Sequence, residues 1–403
     1  MNKVYFDGAA NTPLDTRACE AMKPFMSDKF AGNSFAIHED GISASSAIDE
    51  AKETIIKMVD LPKEEYDLFF TSGATESNNW VIWNSILHAI INPLEDFYII
   101  CNSTEHDSIL RPLKLYEEKI LKNLHVKYLD FSKYNFYSLK DYIHDLYHDK
   151  SNNNKILLMI CMAENNETGY IYDMDQIAQI ANSYNIPLLC DCTQWVGSGH
   201  TLGSLLHNPC LKIDFYTYSG HKIYGPTGIG ALHARRGSIT SPLIAGGAQN
   251  KGLRGGTENT SGIVGMARAL EDNIGDKLEK HFEKIFNYFE DKVNNSSFKD
   301  KISYLQMQDK THYAKNIISL KMDIPEPYIL VDLLIAQGIE CSAGSACDAQ
   351  ETLDSKPVPS HVLVSLGYSE RDIEQTARLS FTKYTSKKDI DYLFEVLNNI
   401  VKM

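Results

Sequence analysis

Apolar runs and amphipathic stretches alternate along the chain from about residue 43 to residue 260. In residues 43–59, apolar side chains recur every three or four positions, which predicts a helix with one buried face. Short apolar runs between such stretches predict buried strands at residues 68–71, 98–101, 156–162, 186–190 and 215–218. Strands that alternate with helices predict an α/β fold with a mostly parallel central sheet and helices on both faces.

A second region extends from about residue 263 to the end of the chain. It contains a predicted helix at residues 327–337, with proline at its start and Gly338 just beyond its end. Ser386 and Asp389 have the spacing of a helix N-cap before an amphipathic stretch. These features predict a smaller α+β domain.

The length of 403 residues exceeds the size at which one hydrophobic core keeps growing. We therefore predict a large domain of residues 16–262. We predict that the smaller domain combines residues 1–15 with residues 263–403.

The composition is ordinary for a folded soluble enzyme, with 43% hydrophobic and 23% charged residues. The formal net charge of -14 argues against direct nucleic-acid binding. No apolar run is long enough to span a membrane, and no apolar signal segment follows the first residues, so we expect a cytoplasmic protein. Eight cysteines in a chain this long do not indicate a disulfide scaffold.

Residues 219–226 place one lysine, Lys222, in a turn of small and polar residues after a predicted strand. A lysine in such a turn is typical of enzymes that bind a cofactor aldehyde covalently. The alternative for any single lysine is a solvated surface charge. Residues 71–77 lead from a strand through glycine into a helix, which predicts an anion site at Gly73, Ala74 and Thr75, although the same sequence also suits an ordinary turn.

Asp191 ends another predicted strand, where its carboxylate could pair with a protonated pyridine nitrogen. The alternative is that Asp191 caps the helix that follows. Gln194 is close enough in sequence to reach a ring oxygen of the same ligand. Cys190 and Cys192 are expected to share one strand face, but no second pair accompanies them, so we expect no metal site.

Asp191 precedes Lys222 by about 30 residues, the order found in fold-type I pyridoxal-phosphate (PLP) enzymes. The sequence resembles the cysteine desulfurases, which belong to the class V aminotransferase superfamily. The resemblance covers nearly the whole chain. Its matching blocks are residues 6–13, Gly32 and Asn33 with His38 and Gly41, residues 71–77, 104–106 and 165–167, Asp191 with Gln194, residues 219–226, 254–257 and 344–347, and Arg378.

The resemblance implies a fold-type I PLP-dependent transferase and a role for each matching position. Lys222 would hold the cofactor covalently, Asp191 would hold its pyridine nitrogen, and Gln194 its ring oxygen. His106 would stack on the ring and assist proton transfers. The residues implied in phosphate binding are Ala74, Thr75, Ser219 and His221, with Thr257 supplied by the partner subunit of a homodimer.

Asn165 and Arg378 would bind the carboxylate of the substrate, where a planar guanidinium suits bidentate pairing. Without the resemblance, His106 would be interpreted as an ordinary loop histidine and Arg378 as part of a structural salt bridge. A cysteine is more often a buried hydrophobe than a nucleophile. Cys347 nevertheless follows a small-residue lead-in and precedes polar residues and prolines, and it occupies the motif position, unlike its rival Cys341.

The implied reaction converts L-cysteine to L-alanine and leaves sulfur on Cys347 as a persulfide. The sulfur would pass to an acceptor protein serving iron–sulfur assembly, tRNA thiolation or DNA phosphorothioation. A selenocysteine lyase or another class V aminotransferase would keep the PLP site without depending on Cys347. A scaffold without activity would not need Lys222, His106 and Asp191 together. Cys192 departs from the family, which commonly has alanine there.

Overall fold

The computed structural model describes residues 3–148, 155–305, 312–344 and 359–402. Its strands are β1 (Val4–Tyr5), β2 (Tyr66–Thr71), β3 (Phe97–Asn102), β4 (Leu124–Leu129), β5 (Lys155–Ile160), β6 (Leu188–Asp191), β7 (Phe215–Ser219), β8 (Gly230–Arg235), β9 (Ile302–Tyr304), β10 (Ile317–Met322), β11 (Ile339–Glu340) and β12 (Thr376–Ser380).

Its α-helices are α1 (Thr16–Met22), α2 (Glu39–Val59), α3 (Ala74–Ile91), α4 (Asp107–Leu115), α5 (Phe136–His148), α6 (Met174–Ser183), α7 (Thr193–Gly197), α8 (Thr260–Asn273), α9 (Asp276–Asn295), α10 (Leu330–Ala336), α11 (His361–Ser365), α12 (Glu370–Glu374) and α13 (Lys387–Ile400). None of the described helices is long and apolar enough to cross a membrane.

Residues 13–163 and 172–274 form the larger of two compact units, and residues 1–12, 164–171 and 275–403 form the smaller. Eight residues from the middle of the chain, 164–171, therefore belong to the same unit as the two termini.

The larger unit contains a seven-stranded sheet in the order β2-β8-β7-β6-β5-β3-β4. Neighbouring strands from β7 to β4 are parallel, whereas β8 runs antiparallel to both β7 and β2. Strands β3, β6 and β7 are buried along their whole length, as expected for a sheet covered on both faces. The prediction of an α/β fold with a mostly parallel sheet is confirmed.

Two helix boundaries differ from the predicted ones. Helix α2 begins at Glu39, four residues early, because His38 Nδ1 accepts a hydrogen bond from the Gly41 amide (3.3 Å) and caps the helix. Helix α10 spans only Leu330–Ala336 of the predicted residues 327–337, because the backbone of Ile329 is extended and Gln337 is the C-cap. Helix α13 begins where predicted, and Asp389 accepts a hydrogen bond from the Ser386 amide (2.7 Å).

The smaller unit contains a three-stranded antiparallel sheet in the order β12-β10-β9 and a parallel pair formed by β1 and β11. Helices α9 and α13 pack against each other through apolar faces, with the rings of Phe289 and Phe394 5.6 Å apart. Strand β12 carries Arg378, and its backbone also bridges to Ser342.

Candidate functional site

The carboxyl ends of β6 and β7 bring predicted cofactor-binding residues to one edge of the sheet in the larger unit. Asp191 is the last residue of β6 and Ser219 the last residue of β7, and the two strands are parallel neighbours. A 3₁₀ turn, Gly220–Lys222, follows β7 and carries His221 and Lys222. Ligands of open α/β sheets bind at this end of the strands.

The N-terminus of α3 joins the same edge. Gly73 precedes the helix and provides no side-chain cap, and the Ala74 amide donates to Ser219 Oγ at 2.7 Å. A Cβ at Gly230 would lie 2.5 Å from Gly73 Cα, so glycine is needed for this close approach. Thr75 is exposed beside it. An 18-residue helix whose first amide faces the small polar side chain of Ser219 is suited to binding a phosphate.

Asp191 is a buried carboxylate held by neutral donors. Its Oδ2 accepts from Asn78 Nδ2 (2.8 Å), and its Oδ1 accepts from the Thr193 amide (2.9 Å). No lysine, arginine or histidine in the described part of the chain forms an ion pair with it. Binding the first amide of α7 is thus one part of its role, while the described residues provide no cationic partner for its charge. A protonated pyridine nitrogen fits this environment.

Cys192 lies beyond the strand, because β6 ends at Asp191. It is buried at the N-cap position of α7, and its amide donates to Thr217 O at 2.8 Å. The prediction that Cys190 and Cys192 share one strand face is therefore wrong. Burial raises the pKa of both thiols, which makes them poor nucleophiles. Gln194 is buried in α7.

Asn78 connects Asp191 to His106. Its Nδ2 also donates to Ser108 Oγ (2.9 Å), and its Oδ1 accepts from Thr217 Oγ1 (2.6 Å). Ser108 Oγ lies 3.0 Å from His106 Nδ1 and, having accepted from Asn78, donates its own proton to that nitrogen. We did not predict Asn78, Ser108 or Thr217 as site residues from the sequence.

His106 is the N-cap of α4, and its Nδ1 accepts from the Ser108 amide at 3.1 Å. Because a backbone amide can only donate, Nδ1 carries no proton in this arrangement. The neutral ring therefore has its proton on Nε2. His106 is set up as a hydrogen-bond donor through Nε2, and it becomes a base only if the cap is broken.

Two further groups have strongly shifted pKa values. Burial, assisted by the charges of Lys222 and His106, lowers the pKa of His221 to about 4, so these three basic side chains are close neighbours and the His221 ring is neutral. Burial, with the charge of Asp191, raises the pKa of Glu105 to about 8 although the Met162 amide donates to Glu105 Oε1 at 2.5 Å. A neutral Glu105 adds no second negative charge beside Asp191.

In the smaller unit, Arg378 is only 2% exposed and is paired with Asp7. Its Nη2 contacts Asp7 Oδ1 at 2.7 Å, and its Nη1 donates to Asn166 O at 3.1 Å. Its Nε has no hydrogen-bond partner among the residues that the structure describes. The salt-bridge interpretation of Arg378 thus applies, but the Nε–H remains for a ligand.

Asn165 is buried, and its side-chain oxygen accepts from the amides of Glu167 (2.9 Å) and Thr168 (3.0 Å). This oxygen therefore stabilises a local turn, and only the amide nitrogen of the side chain is suited to a substrate carboxylate.

Cys347 lies outside the described residues. Its rival Cys341 is buried, and burial, with the charge of Asp7, raises the pKa of its thiol to about 12. Such a thiol is almost entirely protonated at neutral pH and is a weak nucleophile. Thr257 is exposed in the single chain. The described residues contain no group of three or more His, Cys, Asp or Glu arranged to hold a metal ion.

Comparisons with known proteins agree over the full length of the chain. Residues 4–393 match the model of the aminotransferase class V family. The chain is 33% identical to a cysteine desulfurase IscS of Dictyoglomus turgidum, covering 99% of this chain and 95% of that protein. It is also 33% identical to a cysteine desulfurase IscS of Methanosarcina thermophila, covering 99% and 92%.

Two solved structures extend the agreement to the fold. A NifS-like protein has a TM-score of 0.81 at 27% identity, with all of both chains covered. The structure described as SspA in complex with cysteine has a TM-score of 0.74 at 29% identity, covering 95% of this chain and all of that one. The chain therefore belongs to the aminotransferase class V family and, within it, to the cysteine desulfurases.

Proposed function

We propose that this cysteine desulfurase binds PLP at the carboxyl ends of β6 and β7 and carries sulfur from L-cysteine as a persulfide on Cys347. The observation that carries the cofactor assignment is Asp191, a buried carboxylate with neutral donors and no ionic partner in the described chain. Lys222 follows the neighbouring strand and would hold the cofactor covalently. Gln194 would contact the ring oxygen.

The phosphate of PLP would lie at the N-terminus of α3. The Thr75 amide, the hydroxyl of Ser219 and the ring of His221 would supply donors there, and the Ala74 amide would exchange its bond to Ser219 Oγ for one to the phosphate. The uncapped Gly73 and its close approach to β8 support this assignment.

When bound, PLP supplies an electron sink for negative charge that develops at the α-carbon of the substrate. Asp191 would keep a proton on the ring nitrogen, and Asn78 fixes the orientation of the Asp191 carboxylate. The amine of Lys222 would accept the α-proton. His106 would donate a hydrogen bond through Nε2, since its Nδ1 already accepts from the Ser108 amide.

Arg378 and Asn165 would bind the carboxylate of L-cysteine, Arg378 through its Nε–H and Asn165 through the amide nitrogen of its side chain. The thiolate of Cys347 then attacks the sulfur of the substrate. An S–S bond forms, the C–S bond breaks, and its electron pair stays with the carbon, which takes up a proton to give L-alanine. The persulfide would then be passed to an acceptor protein.

We also propose a homodimer in which Thr257 contacts the phosphate of the partner's cofactor. Thr257 is exposed in the single chain, and the adjacent Glu258 accepts a hydrogen bond from Ser34 at 2.8 Å. Phe35 and Ile37, next to Ser34, are 54% and 95% exposed. Exposed apolar side chains beside an exposed ligand-binding hydroxyl are typical of a subunit interface. Light scattering of the active enzyme tests this proposal, and an active monomer would contradict it.

The test of the sulfur carrier is to incubate the protein with L-cysteine and map the added sulfur by mass spectrometry. We expect the persulfide on Cys347 in the wild type and in Cys341→Ser. Cys347→Ser should retain PLP and bind L-cysteine but release alanine very slowly. Full alanine release by Cys347→Ser would instead favour a selenocysteine lyase or another aminotransferase.

A further inference from the structure

The turn at residues 164–171 is a rigid part of the smaller unit. Glu164 and Ile171 form a β-bridge, and the side chain of Asn165 closes the turn from inside. Gly169 has a φ of +73° and meets the backbone of Ile317 closely, so the turn is fixed against β10. Glu167 is 1% exposed within this turn.

Glu167 contacts both ends of the segment that carries Cys347. Ser360 Oγ donates a hydrogen bond to Glu167 Oε2. On the other side, a Cβ added at Gly344 would lie 2.9 Å from Glu167 Oε2 and 2.9 Å from Ser360 Cβ. Residues 344 and 360 are sixteen positions apart in the sequence, yet both pack against one carboxylate.

The contact to Ser360 also involves a helix terminus. Ser360 is the N-cap of α11, and its Oγ accepts from the Leu363 amide at 3.1 Å while donating to Glu167. Its hydroxyl group is therefore used in both directions, and it is 5% exposed. Burying a carboxylate costs free energy unless it is hydrogen-bonded, so Glu167 requires such a donor.

The same turn holds Arg378 through its contact with Asn166 O at 3.1 Å. Asn166 thus contacts Arg378, and Glu167, the next residue, contacts both ends of the cysteine segment. Asn165, in the same turn, is the second proposed carboxylate-binding group. We propose that Glu167 is a positioning residue for Cys347, joining Gly344 to Ser360 so that the cysteine segment starts and ends at a fixed distance from Arg378. This inference rests on the proposed persulfide role of Cys347.

The experiment compares four variants of the full-length, PLP-loaded enzyme. Glu167→Ala and Ser360→Ala remove the contact, whereas Glu167→Gln keeps an acceptor for Ser360. Ser369→Ala is the matched control, because Ser369 also caps a five-residue helix of the same unit, α12, and has no contact with Glu167. Two quantities are measured: the spectral change on binding L-cysteine, and the single-turnover rate of persulfide formation.

We expect Glu167→Ala and Ser360→Ala to form the persulfide about 10- to 100-fold more slowly, since misplacing a reacting group by about 1 Å has effects of this size. Their spectral titration with L-cysteine should stay within about threefold of the wild type, because the cofactor-binding residues are unchanged. Glu167→Gln should recover most of the rate, and Ser369→Ala should match the wild type.

An unchanged persulfide rate in Glu167→Ala, or in Ser360→Ala should the former not fold, would overturn the inference. So would an equal loss in Ser369→Ala, which would indicate general destabilisation, or an equal loss in Glu167→Gln. Absence of persulfide on Cys347 in the wild type would instead refute the proposed function itself, and the two failures are therefore distinguishable.

Discussion

Asp191 of the larger unit and Arg378 of the smaller unit are both buried charged side chains, but their charges are compensated differently. Asp191 receives hydrogen bonds from an amide side chain and a backbone amide. Arg378 is paired with the carboxylate of Asp7. An isolated buried charge is costly, and neutral donors compensate it less fully than an opposite charge does.

The difference indicates what each group can bind. Asp191 is prepared for a cation that the described chain does not supply, and the protonated ring of PLP is such a cation. Arg378 is already neutralised by Asp7, so a substrate carboxylate gains mainly a hydrogen bond to Nε. We therefore expect Asp191 to govern cofactor retention and rate, and Arg378 to govern substrate affinity.

The largest effect is expected for Asp191→Asn. Asparagine caps a helix as well as aspartate does but cannot hold a cation, so turnover should fall by roughly 10²–10³-fold and PLP should be lost more readily. Steady-state rates and PLP content after gel filtration measure both effects. Asp173→Asn is the control, because Asp173 caps α6 in the same unit. Near-normal turnover in Asp191→Asn would leave Asp191 only its hydrogen bond to the first amide of α7.

A second prediction concerns the neutral acid beside Asp191. The pKa of Glu105 is raised to about 8, so the folded state keeps its proton where the unfolded state, with an ordinary pKa near 4.5, loses it. Stability should therefore fall as pH rises from about 4.5 to about 8. Glu105→Gln does not titrate and should lose this decline in stability, which amounts to roughly 5 kcal/mol over the whole range at about 1.4 kcal/mol per pKa unit.

Melting temperatures of the cofactor-free protein at pH 5.5 and pH 8 provide the measurement for Glu105. The melting temperature of Glu105→Gln, relative to that of the wild type, should be higher at pH 8 than at pH 5.5. Glu50→Gln, at an exposed position of α2, is the control and should follow the wild type at both pH values. Equal pH dependence in Glu105→Gln and the wild type would show that Glu105 is ionised when folded.

Much of the larger unit was predictable because its central strands are uninterrupted apolar runs. Strand β8 was not predicted, since Gly230, His233 and Arg235 interrupt its apolar pattern, and its position depends on pairing with β2 and β7. The turn at residues 164–171 belongs to the smaller unit through contacts with residues more than a hundred positions away, which no local pattern reveals.

In the site, too, some residues are predictable from local sequence and others depend on contacts between distant parts of the chain. Asp191 and Lys222 stand out because Asp191 ends an apolar strand and Lys222 follows one, each in a recognisable motif. Asn78 does not, because its role arises only when α3 lies against the ends of β6 and β7, where it meets Asp191 and Thr217. Its position four residues after Ala74 places both on one helix face, the only local signal that could have identified it. The roles of the site residues stay predictions until tested.

Arg378→Lys tests the expectation that Arg378, in contrast to Asp191, governs substrate affinity. Lysine keeps the positive charge for Asp7 but lacks the Nε–H, so the KM for L-cysteine should rise about tenfold while kcat changes little. Asp7→Asn is the matched variant, because it leaves the guanidinium intact without its anion. It should lower stability more than Arg378→Lys does, yet it should not raise KM. A purely structural Arg378 would lower stability in both variants and leave both KM values unchanged.

The smallest expected effect is a change in the titration of His221. Burial and the charges of Lys222 and His106 lower its pKa to about 4, which keeps the ring neutral in the cofactor-free protein. A phosphate at the N-terminus of α3 would bring negative charge beside this ring. An opposite charge within about 4–6 Å raises the pKa of a histidine by roughly one unit or more, so PLP should shift the His221 titration upward.

Histidine NMR spectra with and without PLP measure the shift, and the His88 resonance, from the other end of α3, serves as the internal control. Inorganic phosphate alone should produce part of the same shift. If PLP moves the His88 and His221 curves equally, or moves neither, the phosphate does not bind at this helix terminus beside His221.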